Sequence, residues 1–298
     1  MKSLIIYNNF AAHKRSHQFV NQLKSLYEAN NIEYELIFPE SREQAQNIVK
    51  DADFEKYNSV ITAGGDGSLY TTLNGYMQNT SSKRIPLGVI PVGTGNAFVR
   101  DIGLDADEIE KAFNAIKSGK TKKVDIGKFI TEGKDYYFIN IIGMGFVTDV
   151  GKTASKLKMF GNTAYTFGVL YQTTFLKTFN VEIEYDGNTI NRESIFIEIS
   201  NTRYTGKTFL MAPHAKIDDG LLDVTIMNKA SRARLLSCLP KIFTGEHLKM
   251  KEVETFQAKS IKIATDVPLM LTPDGELMGS TPISLECIPG AVDVFVNK

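Results

Sequence analysis

The sequence lacks any apolar run approaching the length of a membrane-spanning helix, which removes the case for an embedded protein built on such helices. It lacks net charge: 34 Lys and Arg balance 34 Asp and Glu, so electrostatics offer no argument for nucleic acid as a partner. Cysteine is scarce. Cys238 and Cys287 stand far apart in apolar settings, which excludes a disulfide framework and fits buried free thiols in a reducing cytoplasm. The four histidines, His13, His17, His214 and His247, show no metal-ligand spacing. The first residues, Met1 to Tyr7, run straight into a strand pattern without the anatomy of a signal peptide. Two familiar phosphate loops are also missing. No Gly-x-x-x-x-Gly-Lys-Ser/Thr occurs, and the turn after the first strand, Asn8-Asn9-Phe10-Ala11-Ala12, is not Gly-x-Gly-x-x-Gly.

What is present is an ordinary globular composition, 43% hydrophobic and 23% charged, in 298 residues, enough for two domains or one large one. The most informative stretch is Gly64-Gly65-Asp66-Gly67-Ser68-Leu69, set between the apolar run Val60 to Ala63 and a helical pattern from Leu69 to Met77. Glycine lets backbone N–H groups approach a ligand closely, and a helix start adds the positive end of its dipole. The single acid in the turn suits a metal or the counterion of a phosphate. A tight turn without a ligand is the competing reading. Against it stands a second glycine turn, Pro91-Val92-Gly93-Thr94-Gly95-Asn96, which follows Leu87 to Ile90 and opens a helix-like segment from Ala97 to Ile102. Two such turns at the carboxyl ends of two strands are what a crevice at the top of an open α/β sheet requires.

Short apolar runs and helical patterns alternate up to about Lys120, ending in a helix from Ala106 to Ser118, and this predicts a doubly wound α/β nucleotide-binding domain over residues 1–122. From there short β-like runs dominate, including separate runs at Ile283 to Ile288 and Ala291 to Val296. They predict a β-sandwich-like second domain over residues 123–298, with the final strand able to pack back on the first domain. Helical stretches at Val150 to Leu176 and Ala230 to Phe243 interrupt it.

The second domain carries one sharp feature, Pro273-Asp274-Gly275-Glu276. Pro-Asp-Gly is turn chemistry, and the next residue displays an acid just past the turn. A phosphoryl transferase needs one carboxylate to take the proton of the attacking hydroxyl, and no histidine constellation offers a rival. A second acidic turn, Lys216-Ile217-Asp218-Asp219-Gly220-Leu221, has an acid and carbonyls of the kind a magnesium ion prefers, or is a solvated turn.

These segments, with Asp219-Gly220-Leu221-Leu222-Asp223-Val224 and the closing Pro289-Gly290-Ala291, occur in an order that resembles the diacylglycerol kinase catalytic-domain family. The likeness is to its soluble bacterial lipid-kinase branch, related to sphingosine and ceramide kinases, and covers essentially the whole chain. The resemblance implies an active site in the cleft between an ATP-binding first domain and a β-rich second domain. Gly64, Gly65, Asp66, Gly67 and Ser68 would bind ATP phosphates, with Asp66 helping to place Mg2+ and counted with the catalytic residues. Thr94 would contact the nucleotide, with Asn9 and Ser41 as further candidates from the first turn and the end of the second strand. Glu276 would be the general base, and Asp219 with the carbonyls of Lys216 and Leu221 would hold a structural Mg2+. The chain departs from the family's Asn-Pro-x-(Ser/Ala)-Gly first turn, and Ala97 follows Asn96 where many bacterial members have an acid.

The implied reaction is transfer of the ATP γ-phosphoryl group to a lipid alcohol such as diacylglycerol, by an enzyme peripheral to the inner face of the membrane. A homodimer is compatible with it. Residues 151–171 are the candidate contact with that membrane surface, with Lys152, Lys156 and Lys158 at helical spacings beside Leu157, Met159, Phe160, Tyr165, Phe167 and Leu170. Two other functions remain open on the residues alone. One is phosphorylation of a soluble nucleotide by an NAD kinase-like enzyme, which shares the glycine turn; the other is a catalytically silent lipid- or nucleotide-binding regulator.

Overall fold

The structure is a computed structural model that describes residues 1–9, 16–105, 108–156, 164–206 and 208–297. The chain forms two compact units, residues 1–126 with 289–298, and residues 127–288.

In the first unit the strands are β1 (Lys2–Tyr7), β2 (Glu33–Ile37), β3 (Ser59–Gly64), β4 (Leu87–Pro91) and the start of β5 (Thr121–Thr131). Between them run α1 (Ser16–Ala29), α2 (Arg42–Lys50), α3 (Asp66–Gln78) and α4 (Ile109–Ser118). β1 pairs in parallel with β2 on one side and β3 on the other, and β4 adds to β3. The central strands are apolar without alternation because both faces are covered, and every residue of β3 and β4 is buried. α1 contacts α4, and α2 contacts α3. α2 starts where Ser41 accepts a hydrogen bond from the Gln44 N–H at 3.1 Å, an N-cap that satisfies one orphan donor of its first turn. The chain places β2 to one side of β1 and then returns to lay β3 on the other. That reversal of strand order sets a crevice between the carboxyl ends of β1 and β3.

The second unit begins within β5 and continues through β6 (Lys134–Phe138), β7 (Ile141–Gly145), α5 (Phe146–Lys156), α6 (Ala164–Thr174), β8 (Phe179–Tyr185) and β9 (Asn188–Ser200). Then come β10 (Tyr204–Thr205), β11 (Phe209–Leu210), β12 (Leu222–Asn228), α7 (Arg232–Ile242), β13 (Val253–Ala258), β14 (Ser260–Thr265), β15 (Met270–Pro273), β16 (Met278–Ser280) and β17 (Ile283–Phe295), whose residues from Pro289 on belong to the first unit. β9 is long enough to serve two layers. Its first half pairs with β8, which leads on to β14 and β17; its second half pairs with β7 and β12. Between the layers lies an apolar core that includes Phe129, Phe138, Ile142, Ile183, Ile199, Val224, Ile263 and Leu271. A second cluster, with Phe146, Val150, Phe196, Met227 and Leu235, lies where α5, α6 and α7 cover the opposite face of β9 and β12.

Several expectations change. The segment from Ala97 to Ile102 contains only a single 3₁₀ turn, Phe98–Arg100, too short to be a helix with an anion-binding end. The helix expected from Ala106 begins at Ile109 in the described residues; Ala106 and Asp107 lie outside them. Val150 to Leu176 is two helices, α5 and α6, and residues 157–163 between them lie outside the described residues. The two runs near the end are one strand, β17, which carries Pro289 and Gly290 in its middle. A proline is tolerated there because it sits at an irregularity where Gly290 has a positive φ, 56°, and its N–H donates to Asp125 Oδ1 at 2.7 Å. β13 was not anticipated: half of its side chains are polar and only Ala258 is fully covered.

One buried group gives the second unit a pH dependence. Glu198 of β9 is 1% exposed, and burial pushes its carboxyl from 4.5 up to about 7, opposed by a hydrogen bond from Thr205 Oγ1 at 2.6 Å. Between those values the folded chain holds a proton that the unfolded chain has released, so stability falls as pH rises. The contribution is complete below 4.5 and lost once pH passes about 7. At about 1.4 kcal/mol per pKa unit, the burial costs about 3 kcal/mol on the alkaline side. Glu198→Gln, which keeps the size and stays neutral, is expected to gain about that much at alkaline pH and little in acid. Denaturant unfolding across pH checks this; parallel curves for parent and variant would refute it.

Candidate active site

The phosphate turn is built from the crevice outward. β3 ends at Gly64 and α3 starts at Asp66, with Gly65 as an N-cap that has no side chain to offer the first-turn N–H groups. The Ser68 N–H donates to the Gly65 carbonyl at 3.0 Å, and with no capping side chain over it the turn keeps room for a ligand at the helix start. Gly93 of the second turn packs directly on Gly65: a Cβ on Gly93 would lie 2.4 Å from the Gly65 Cα, and one on Gly65 would come to 3.3 Å of the Gly93 Cα, so the close meeting of the turns depends above all on Gly93. The Gly64 carbonyl accepts the N–H groups of Val92 and Gly93 at 3.1 and 3.2 Å, carrying the β3–β4 pairing into the turns.

Asp66 joins the turns a second way. Its Oδ1 accepts the Ala97 N–H at 2.8 Å. The residue as a whole is half-buried, but its carboxylate lies deep. Burial raises its pKa, and backbone N–H groups of Ala97, Phe98 and Asn96 oppose the rise. Asp66 therefore holds the second glycine turn in place, a role the sequence reading did not assign to it.

Across the crevice, Asn8 at the end of β1 donates from Nδ2 to Ser68 Oγ at 2.8 Å, and its N–H donates to the Ala63 carbonyl at 2.9 Å. Among the described residues of the first turn Asn8 reaches the glycine turn, while Asn9 is exposed; Phe10, Ala11 and Ala12 lie outside the described residues. Nothing in the spacing separated the two asparagines. Thr94 is exposed at the second turn. Ser41 lies at the same carboxyl edge of the sheet, with its oxygen engaged as the cap of α2.

In the second unit, Pro273 to Glu276 forms a two-residue hairpin between β15 and β16. Asp274 and Gly275 both have positive φ, 47° and 86°, and the Glu276 N–H donates to the Pro273 carbonyl at 2.8 Å. Asp-Gly is the pair that such a turn favours. Asp274 is also buried, and its carboxylate accepts the backbone N–H groups of Ile139, Asn140 and Ile141 at 2.9 to 3.0 Å. It clamps the turn to the start of β7. Glu276, half-buried, therefore stands on a turn fixed at both ends, as a preorganised carboxylate must.

The second acidic turn offers hard oxygen donors. Asp219 is exposed and its Oδ1 accepts the Leu221 N–H at 3.1 Å, while Lys216 lies on the same loop. Asp223, in β12, belongs with them: burial first, and then the neighbouring Asp219 charge, push its carboxyl up to about 6, against a hydrogen bond from Gln257. A divalent cation would relieve that crowding, so the donor chemistry fits a hard metal ion. Among the described residues no three His, Cys, Asp or Glu side chains gather as a metal cluster, so a cation here would also rest on carbonyls or water. Asp223 was visible in the sequence as part of a strand; only folding sets it beside Asp219.

Of the apolar and basic stretch over residues 151–171, Leu157, Lys158, Met159 and Phe160 lie outside the described residues, as do the side chains of Lys156 and Tyr165. Lys152 pairs with Asp149 at 3.9 Å. On α6 and just beyond it Phe167, Leu170, Tyr171 and Phe175 are each at least 50% exposed, and the rings of Tyr171 and Phe175 lie 5.1 Å apart. No helix among the described residues is long and apolar enough to cross a membrane.

Comparison with known proteins bears on both units. Residues 2–129 match the family model described as the diacylglycerol kinase catalytic domain, and residues 140–296 match the YegS C-terminal NAD kinase beta sandwich-like domain. A Bacillus subtilis (strain 168) protein named diacylglycerol kinase is 30% identical over 283 residues, 94% of this chain and 91% of its own. A protein of the same name from Staphylococcus epidermidis (strain ATCC 12228 / FDA PCI 1200) is 35% identical over 268 residues, 87% of this chain and 83% of its own. A crystal structure of a diacylglycerol kinase from Bacillus anthracis str. Sterne superposes with a TM-score of 0.75 at 24% identity, covering 99% of this chain and 96% of that one, and so supports the fold.

Proposed function

We propose a function from one premise: the chain belongs to the diacylglycerol kinase catalytic-domain family, and is a kinase by that membership. The reading is an ATP-dependent lipid kinase that transfers the γ-phosphoryl group to the hydroxyl of a lipid alcohol such as diacylglycerol. The observation that carries it is the paired glycine turn at the α3 N-terminus, a ligand-ready donor set at the strand-order reversal.

In this reading the N–H groups of the Gly64 to Ser68 turn cradle the nucleotide phosphates, Asn8 sets Ser68, and Thr94 contacts the nucleotide from the second turn. Glu276 takes the proton of the acceptor hydroxyl as its oxygen attacks phosphorus and the ADP oxygen leaves. Mg2+ supplies neutralisation of phosphate charge when bound, with Asp66 helping to place it and Asp219 and the carbonyls of Lys216 and Leu221 holding a second, structural ion. The exposed apolar face of α6 supports access to lipid from the membrane surface without a spanning helix.

The test is ATP consumption with a panel of acceptors: diacylglycerol, phosphatidylglycerol and a sphingoid base, each in anionic vesicles, beside soluble NAD. Phosphorylated lipid together with cosedimentation with the vesicles is the expected result. Phosphorylation of NAD alone would replace the reading with a soluble-nucleotide kinase, and no turnover with any acceptor would leave a silent binding protein.

A further inference from the structure

Phe38 directly follows β2 and is 41% exposed. Among the described residues of the first unit, the exposed large hydrophobic side chains are Phe38 and Met1 at the start of the chain. One exposed apolar side chain means little by itself; the place of this one gives it meaning. β1 and β2 run in register from Lys2 beside Glu33 to Ile6 beside Ile37, so Phe38 comes level with Tyr7. On its other side Tyr7 pairs with Ala63, the residue before Gly64. Phe38, Tyr7 and Ala63 thus make one row at the carboxyl edge of the sheet, and the glycine turn begins one residue beyond it. The Tyr7 ring is buried, and its centroid lies 5.6 Å from that of Phe38 at an interplanar angle of 57°, a contact that holds the exposed ring in place. The next residue, Asn8, reaches the opposite way, to Ser68. The end of β1 therefore joins the exposed ring to the phosphate turn.

Two strand spacings, about 10 Å, separate the end of β2 from the end of β3. A nucleotide held by its phosphates at the Gly64 to Ser68 turn reaches that far with its base. On the β4 side of the turn Gly93 packs against Gly65, so the way along the sheet edge that offers a flat apolar face is the one over β1 toward Phe38. We propose that Phe38 is the platform on which the base of the nucleotide stacks. This rests on reading the glycine turn as the site of ATP phosphates. The match is one of shape and charge distribution. A base presents two flat π-faces, a phenyl ring presents another, and stacking of this kind needs no hydrogen bond to the edge of the base. The Tyr7 contact adds preorganisation, since a ring already fixed loses little freedom when the base settles on it.

The experiment measures, by calorimetry without lipid, the Kd of magnesium ATP and of magnesium tripolyphosphate, which has the phosphates and no base. Parent, Phe38→Ala and Phe38→Leu proteins are compared. Phe38→Ala is expected to weaken ATP binding about tenfold, the scale of one stacked base, with tripolyphosphate affinity unchanged. Phe38→Leu keeps an apolar cover beside Tyr7 and loses the flat ring, so it should weaken ATP nearly as much. The chain has no tryptophan, so Phe38→Trp places a single fluorescent reporter at the contact. Its emission should be quenched by ATP and not by tripolyphosphate, at parental ATP affinity. Parental ATP affinity in Phe38→Ala or Phe38→Leu overturns the inference, as does a tryptophan that ATP leaves unquenched. Equal weakening of both ligands also overturns it, because a merely structural role would move both. If Phe38→Ala does not fold, the leucine and tryptophan variants decide. A parent that binds ATP no better than tripolyphosphate overturns the stacking alone, whereas a parent that binds neither overturns the ATP reading as well, which separates the two failures.

Discussion

Glu276→Gln is expected to lower turnover with the preferred lipid alcohol by about 10²-fold or more, the range of general-base catalysis, while nucleotide affinity stays at the parental value. The substitution keeps the size of the side chain and one acceptor oxygen, so it disturbs the hairpin that displays it as little as any loss of the carboxylate can. Its geometry is held by the positive φ of Asp274 and Gly275 and by the Asp274 clamp on Ile139, Asn140 and Ile141, none of which involves the Glu276 carboxylate. What is removed is the ability to take a proton at neutral pH. Steady-state kinetics with calorimetric nucleotide binding and an unfolding curve separate the possibilities. Parental turnover would take Glu276 out of the mechanism. Joint loss of activity, binding and stability would mean a structural role.

Asp66 calls for two variants, because it holds the second glycine turn and, in the proposed function, also helps to place Mg2+. Asp66→Ala removes the acceptor for the Ala97 N–H and leaves the neighbouring amides without the carboxylate that faces them. An orphaned buried donor costs about 1–3 kcal/mol, so this variant should lose both activity and stability. Asp66→Asn keeps an oxygen for the Ala97 N–H and removes the charge. It should stay folded at a smaller cost in stability than Asp66→Ala, since its NH2 meets N–H groups that the carboxylate accepted, yet lose magnesium-dependent turnover to near background. The comparison is kcat at saturating magnesium set against the denaturation midpoint. If Asp66→Asn turns over like the parent, the residue is a cross-link between two turns and has no part in placing a metal.

The α/β half was legible because its signals are local. A strand such as Val60 to Gly64 is buried on both faces and reads as an unbroken apolar run, and a glycine turn followed by a helical pattern marks where the next element begins. Family resemblance then assigned roles to Gly64 to Ser68 and Glu276. The second half was harder for a physical reason. β9 divides its length between two layers, so its pattern changes partway along, from exposed and half-buried residues to continuous burial. β17 likewise passes a proline and a glycine without ending, where turn chemistry predicts a break. The hidden part of the site is non-local: Asn8 meets Ser68 across 60 positions, and Asp274 meets Asn140 across 134. Such pairs exist only once strand order and register are set, and a single sequence carries no period that announces them.

The last residues of the chain bear on how it is made. Residues 289–298 belong to the first unit, where Val294 pairs with Leu87 and Asn297 donates from Nδ2 to the Gly103 carbonyl at 3.0 Å. A nascent chain emerges amino end first, so the sheet of the first unit waits, with one edge of β4 unpaired, until the residues around Val294 have been synthesised. That exposed edge is a place for wrong pairing. The unit that comes first in sequence is in this sense the last to be closed, and neither half can be cut free at a single point in the chain and keep its sheet whole.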